Sequence, residues 1–281
     1  MMSRLAILLG NPKAKDAPIE LRGVDNDMEY WERFLESKQG GLWEKDSEIK
    51  RLDPQSKQEL FPYIANLGKE RKLEYLLFVF AGHGKSDDND DYIYVDPQGE
   101  PVSVSALKEI MSCAACSGLL FLDACRTTDL VYHTSLDIQS LYSGVMNCSS
   151  EQQNTDKDDE IKDKIVEKWW NKWATGDADS FVVIQSCNRE KSAVEVHELK
   201  SDEYYGAFTR MMLDTAYAAS TYTDSYKCFQ DANDKMKESL DWSKCDGYTQ
   251  QATYEPRGKA HPFALGLDTI KKIQDECLLV E

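Results

Sequence analysis

Two short, unbroken apolar runs stand out along the chain, residues 76–80 (L-L-F-V-F) and 119–122 (L-L-F-L). Blocks of this length with no polar face are expected of parallel-sheet strands covered on both sides. Residues 4–10 and 180–186 have the same character, residues 48–52 are a weaker strand, and residues 92–96 form a short alternating one. Between the strands the spacing becomes helical. Val24, Met28, Trp31 and Leu35 recur on one face, with Asp25 placed to cap the start and Asp25 and Asp27 suited to the positive end of the helix dipole. Leu60, Ile64 and Leu67 predict an inward face for a helix over 54–71, and Leu107, Ile110 and Met111 for one over 105–113. The β-α-β alternation up to Arg126 predicts an α/β fold with a mostly parallel sheet between helices.

Past Arg126 the pattern changes. Residues 127–179 are polar and charged, without regular apolar spacing until Ile161, and read as an inserted loop. Ile161, Ile165, Val166, Trp169, Trp170 and Trp173 then make one wide apolar helix face, suited to docking on its own domain or to anchoring a partner. After the strand at 180–186, helices are expected to Ala219 and over 224–240, and residues 249–267 are expected to close the sheet edge.

The two strongest strands end in chemistry. The first runs into Ala81-Gly82-His83-Gly84 and the second into Asp123-Ala124-Cys125-Arg126. With side chains alternating, Asp123 and Cys125 emerge on one side at the strand's C-terminal end, where open α/β sheets place their ligands. Glycines on both sides of His83 let the backbone turn and approach a substrate closely. Cys125 and His83 form a candidate dyad, in which the imidazole helps to generate the thiolate nucleophile and then protonates the leaving amine.

The histidine in S/A-G-H-G and the downstream cysteine in D/Q-x-C-x-x resemble the caspase-like cysteine peptidases, which include caspases, metacaspases, paracaspases and bacterial relatives. The resemblance implies a caspase-like three-layer sandwich. It makes Cys125 the nucleophile and His83 the general acid/base, with an oxyanion hole from the backbone N–H groups of Gly84 and Cys125. L-R-G-x-x-N-D at residues 21–27 resembles the metacaspase and bacterial motif whose last Asp, here Asp27, lines the specificity pocket. S-C-x-x-x-x-S-A-x-E and G-A-F-T at residues 186–209 resemble the small-subunit region. The resemblance thus spans nearly the whole chain and implies one catalytic domain over 1–281. Its parts are a large-subunit-like segment (1–126), a linker insert (127–179) and a small-subunit-like segment (180–281).

Caspases that cut after Asp hold that residue with arginines and a Gln two positions before the nucleophile. Here Asp123 has that offset, and a carboxylate would repel an acidic residue and pair with a basic one. With Asp27 as second acid, cleavage after Arg, then Lys, is expected. Lys162, Lys164, Lys168 and Lys172 in the insert become candidate self-cleavage sites. Arg126-Thr127-Thr128 stands where metacaspases commonly carry His-Ser-Gly, so the pocket rim is expected to differ. The competing readings are a catalytically silent interaction module, an Asp-specific caspase and a hydrolase or transferase using the same thiol. Bacterial relatives can be encoded with defence or cell-death systems, and such a role is an option here on resemblance alone.

A net charge of -17 argues against nucleic acid and anionic membranes as partners and favours basic protein substrates, with an activating partner protein as an option. The eight cysteines are irregularly spaced, residues 5–9 are too short for a leader, and no run suits a membrane span, so a reduced, cytoplasmic setting is expected. No cofactor is expected. Some metacaspases bind activating calcium near an acidic loop such as residues 87–91, but the spacing is not that of an EF-hand. Cys113-x-x-Cys116 lacks the second pair a zinc site needs and reads as a helix end, and His133, His197 and His261 lack a strand-end glycine setting.

Overall fold

The structure is a computed structural model that describes residues 3–15, 17, 19–54, 56–70, 73–127, 135–138, 157–174, 180–245 and 249–278. In chain order it runs β1 (Arg4–Asn11), α1 (Val24–Glu36), α2 (Lys45–Glu48), β2 (Ile49–Leu52), α3 (Lys57–Glu70) and β3 (Leu73–Gly82). A small antiparallel meander follows, β4 (Gly84–Ser86), β5 (Asp91–Ile93) and β6 (Val102–Ser103), then α4 (Val104–Ala114) and β7 (Ala115–Ala124). The insert contains β8 (Ser135–Ile138) and α5 (Lys157–Ala174). Next come β9 (Phe181–Gln185), β10 (Glu195–Glu198), β11 (Glu203–Gly206), α6 (Ala207–Tyr217), β12 (Thr223–Asp224) and α7 (Ser225–Ser239). β13 (Thr253–Arg257), β14 (Pro262–Ala264) and α8 (Leu267–Leu278) end the described chain.

The main sheet has the order β13-β9-β7-β3-β1-β2, parallel throughout except for the antiparallel edge strand β13. Its central strands are apolar on both faces because both faces are covered. Leu5, Ile7, Leu9, Leu120 and Leu122 pack with Leu60 and Ile64 of α3 and Leu107 and Met111 of α4. The alternate residues Ala6, Leu8, Leu119 and Phe121 pack with Trp31 and Phe34 of α1 and Phe208 and Met211 of α6. Burying each large apolar side chain contributes about 1.5–3 kcal/mol, so these two layers carry most of the stability. The caspase-like three-layer arrangement expected from the motifs is therefore present.

Local expectations differ in places. Asp25 does not cap α1: Gly23 occupies the N-cap position, and Asp25 lies in the first turn, 3.1 Å from Arg51. The Gly23 N–H is taken instead by the distant Glu195 carboxylate. Helix α5 docks through Val166 and Trp170, which packs edge-on against Trp43 and Tyr75, while Trp169 is 40% exposed. The side chains of Ile161 and Trp173 lie outside the described residues. The edge predicted for residues 249–267 is β13, and α8 beyond it carried no clear signal. No helix among the described residues is long and apolar enough to cross a membrane.

Candidate active site

Strands β3 and β7 run parallel, and their last paired positions are Gly82 and Ala124. His83 and Cys125 are thus the first residues past two adjacent strand ends. Alternation decides their side: Leu77, Val79 and Ala81, like Leu119 and Phe121, face α1 and α6, so His83, Asp123 and Cys125 continue that face. A side chain at Gly84 would bring a Cβ within 2.5 Å of the Cys125 carbonyl oxygen, so only glycine permits this approach.

Nε2 of His83 lies 3.1 Å from the Pro12 carbonyl and 3.1 Å from the Ile19 carbonyl. Carbonyls only accept, so Nε2 carries the proton and Nδ1 is the basic nitrogen of the neutral ring. Burial lowers the pKa of this imidazole. Cys125 is 3% exposed, and its sulfur accepts the Ala193 N–H at 3.3 Å. Burial pushes the thiol up to about 12, opposed by the Ala193 backbone and reinforced by the charge of Asp123. Both shifts favour the uncharged thiol and the uncharged imidazole, so a nucleophile built on this sulfur would need its proton removed during attack.

Beside the thiol, three buried carboxylates converge. Asp27 receives the Gly206 N–H at 3.0 Å on each oxygen. Asp123 accepts from the Thr209 N–H at 3.1 Å and its hydroxyl at 2.6 Å. Glu195, opposite Gly206 in the β10–β11 ladder, accepts from the Gly23 N–H at 2.6 Å. All three line one cavity with Leu21, Val24, Ala81, Gly82, Ala193, Val194 and Gly206. Burial raises the pKa of each, and the neighbouring carboxylates raise Asp27 and Glu195 further. Gly206 is the N-cap of α6 and Thr209 lies in its first turn, and the N–H groups and positive dipole end of this helix start favour anions and so hold two of these acids together. The cavity measures about 20 Å³, the size of a water rather than of a side chain, so any side chain could enter only by parting its lining.

Arg126 points inward. Its Nη2 lies 2.6 Å from Asp91 Oδ2, and its Nη1 donates to the Cys187 carbonyl at 3.1 Å and Thr253 Oγ1 at 3.0 Å. Its carbonyl accepts from the Ser86 hydroxyl and from the Glu190 N–H. Asp91 would keep only the half-exposed Arg189 at 3.5 Å and the Gln185 Nε2 donor at 3.2 Å, which offset a buried charge in part, so Arg126→Met is expected to lower unfolding stability by about 3 kcal/mol in urea titration. Restoring part of the loss with a second Asp91→Asn change would trace it to that charge.

Asp91 of the acidic loop is thus committed to Arg126, while Asp90 accepts from the Ser103 and Ser105 hydroxyls and Asp87 from backbone N–H groups. Among the described residues no group of three His, Cys, Asp or Glu side chains is arranged to hold a metal ion. Cys113 lies in the last turn of α4 and Cys116 in β7. His197 pairs with Asp202, and His261 Nε2 lies 3.1 Å from the Ser180 carbonyl. Lys164, Lys168 and Lys172 are exposed on α5. The side chain of Lys162, and Thr128 and His133 altogether, lie outside the described residues.

The structure therefore brings together Asp27, His83, Gly84, Asp123 and Cys125, and adds groups the sequence did not assign. Glu195 stands inside the S-A-x-E segment, but only its pairing with Gly206 reveals that it faces the two aspartates. The carbonyls of Pro12 and Ile19 act through backbone and leave no side-chain signal.

The fold resembles that of caspase-1 from Spodoptera frugiperda, with a TM-score of 0.56 at 12% identity, over 95% of this chain and 91% of that one. No curated protein matches the chain in sequence. The family model for the caspase domain, Peptidase_C14, matches residues 3–262, the span that holds both strand ends and all three acids. The chain belongs to the caspase-domain family of cysteine peptidases.

Proposed function

We propose that this chain is a cysteine endopeptidase that cleaves proteins after arginine and, less readily, after lysine. The observation that carries the specificity is the convergence of Asp27, Asp123 and Glu195 on one cavity beside Cys125, with no lysine or arginine among its lining residues. An acidic substrate side chain would add a further negative charge to a buried site. A guanidinium instead relieves the repulsion and offers five donors in a planar fork, more than the three of an ammonium group.

In this reading Nδ1 of His83 takes the proton from Cys125 as the sulfur attacks the scissile carbonyl carbon. The N–H groups of Gly84 and Cys125 receive the resulting oxyanion. The imidazolium then gives its proton to the departing amine as the C–N bond breaks, leaving a thioester on Cys125. Water, deprotonated by His83, attacks the thioester, and the new carboxylate leaves as the thiol is restored. The Pro12 and Ile19 carbonyls suit the imidazolium because both can accept from its Nε2–H throughout.

Self-cleavage at Lys162, Lys164, Lys168 or Lys172 belongs to the same proposal, and α5 must unwind first because an endopeptidase cleft takes extended chain. The central test is hydrolysis of matched fluorogenic peptides ending in Arg, Lys, Asp or Leu, with and without calcium. Release that is fastest after Arg, slower after Lys and lost in Cys125→Ala is expected. Faster cleavage after Asp would overturn the specificity.

A further inference from the structure

Asn11, the last residue of β1, is completely buried. Buried amides persist where they satisfy backbone groups that have no regular partner. Its Nδ2 donates to the Tyr94 carbonyl at 2.6 Å, and its Oδ1 accepts the Lys13 N–H at 3.3 Å. Tyr94 in turn donates its own N–H to the His83 carbonyl at 3.0 Å. The residue after Asn11 is Pro12, whose carbonyl receives both His83 Nε2 at 3.1 Å and the Leu21 N–H at 3.0 Å.

These contacts close a ring. It passes from the His83 main chain to Tyr94, through the Asn11 carboxamide to the Pro12 carbonyl, and back to the His83 imidazole. The ring is drawn tight where β1 and β3 end: Asn11 pairs with Gly82, and a Cβ at Gly82 would lie 2.5 Å from the Asn11 carbonyl oxygen. His83 is therefore held by its backbone at Tyr94 and by its ring at the Pro12 and Ile19 carbonyls, and Asn11 braces the first contact through Tyr94 and the Pro12 half of the second.

We infer that Asn11 is a positioning residue for His83: its carboxamide fixes the turn at residues 11–13 against Tyr94, keeping the Pro12 carbonyl aimed at Nε2 and the basic Nδ1 available for Cys125. The inference rests on the dyad proposed above. It needs a donor at Nδ2, not merely a side chain of that volume. Asn11→Asp keeps the shape but sets an oxygen against the Tyr94 carbonyl, and Asn11→Ala removes both contacts.

The test combines Arg-peptide kinetics with ¹⁵N NMR of histidine-labelled protein, the His83 signals being assigned with a His83→Gln control. Both variants are expected to lose about 10–100-fold in kcat, with KM nearly unchanged, as small misplacements of a reacting group do. The His83 ring should pass from one Nε2–H tautomer to a mixture. Asn11→Ser, which retains a hydroxyl donor, covers the case in which the other two fail to fold, and is expected to fall between them and wild type. Wild-type kcat with a single tautomer in these variants would overturn the inference, as would lost activity with an unchanged tautomer. Inactive wild type would instead count against the peptidase reading, with the tautomer measurement still deciding the role of Asn11.

Discussion

Cys125→Ala is expected to slow hydrolysis of an Arg peptide by at least about 10⁴-fold, the scale on which removing a covalent nucleophile acts. His83→Ala should cost nearly as much, and the double variant little more, because nucleophile and base act as one unit. The fold should survive, since the side chain removed is small and the strand beneath it, from Leu119 to Leu122, is packed on both faces. With burial holding the thiol at about 12, wild-type Cys125 should react slowly with iodoacetamide at neutral pH. Rapid hydrolysis with slow alkylation would mark a thiol deprotonated only in the presence of substrate. Comparable hydrolysis by Cys125→Ala would remove the sulfur from the mechanism.

The second large effect belongs to the pocket. Asp123→Ala is expected to lower kcat/KM for Arg peptides about 100-fold, the cost of leaving one buried partner of a charged pair unmatched. Asp27→Asn should act in the same direction, and both changes should narrow the preference for Arg over Asp. Protonation provides an independent check. Asp27, Asp123 and Glu195 all have pKa values raised from their ordinary values, chiefly by burial, with Arg210 opposing the shift of Asp27 and Arg22 that of Glu195. A bound guanidinium favours the charged forms, so binding expels protons. Affinity must therefore strengthen as pH rises through those raised values and weaken as pH falls below them. Measured as the Kd of an Arg peptide for Cys125→Ala, which isolates the pocket from the dyad, this slope should flatten in Asp27→Asn.

In the free protein the same shifts act in the opposite direction. Carboxylates with raised folded-state pKa values favour the protonated fold, so their contribution to stability is greatest at low pH and is lost as pH rises through the folded values. The acid pocket thus opposes folding near neutrality, a cost that a bound cation would offset.

The parts of the fold that were legible are those with local causes. β3 and β7 could be read because residues apolar on both faces have few alternatives to a covered central strand, and their ends exposed the His83 and Cys125 chemistry directly. The start of α1 was misjudged because Gly23 finds its partner in Glu195, far along the chain. The β10–β11 hairpin was missed as an element because its short strands mix charged and aromatic residues, and their pairing alone aligns Glu195 with Gly206. The link between Arg126 and Asp91, likewise, needs the β4–β5–β6 meander to fold back beside the nucleophile. What eluded reading was mostly non-local hydrogen bonding.

The most direct measurement is covalent labelling of the wild-type chain by two peptidyl chloromethyl ketones that differ only in ending with Arg or Asp, followed by intact mass and peptide mapping. A peptidase with an acidic pocket should take one adduct, on Cys125, at least about tenfold faster from the Arg reagent, as a charge-matched contact predicts. Equal or faster labelling by the Asp reagent, or an adduct on another cysteine in place of Cys125, would contradict it.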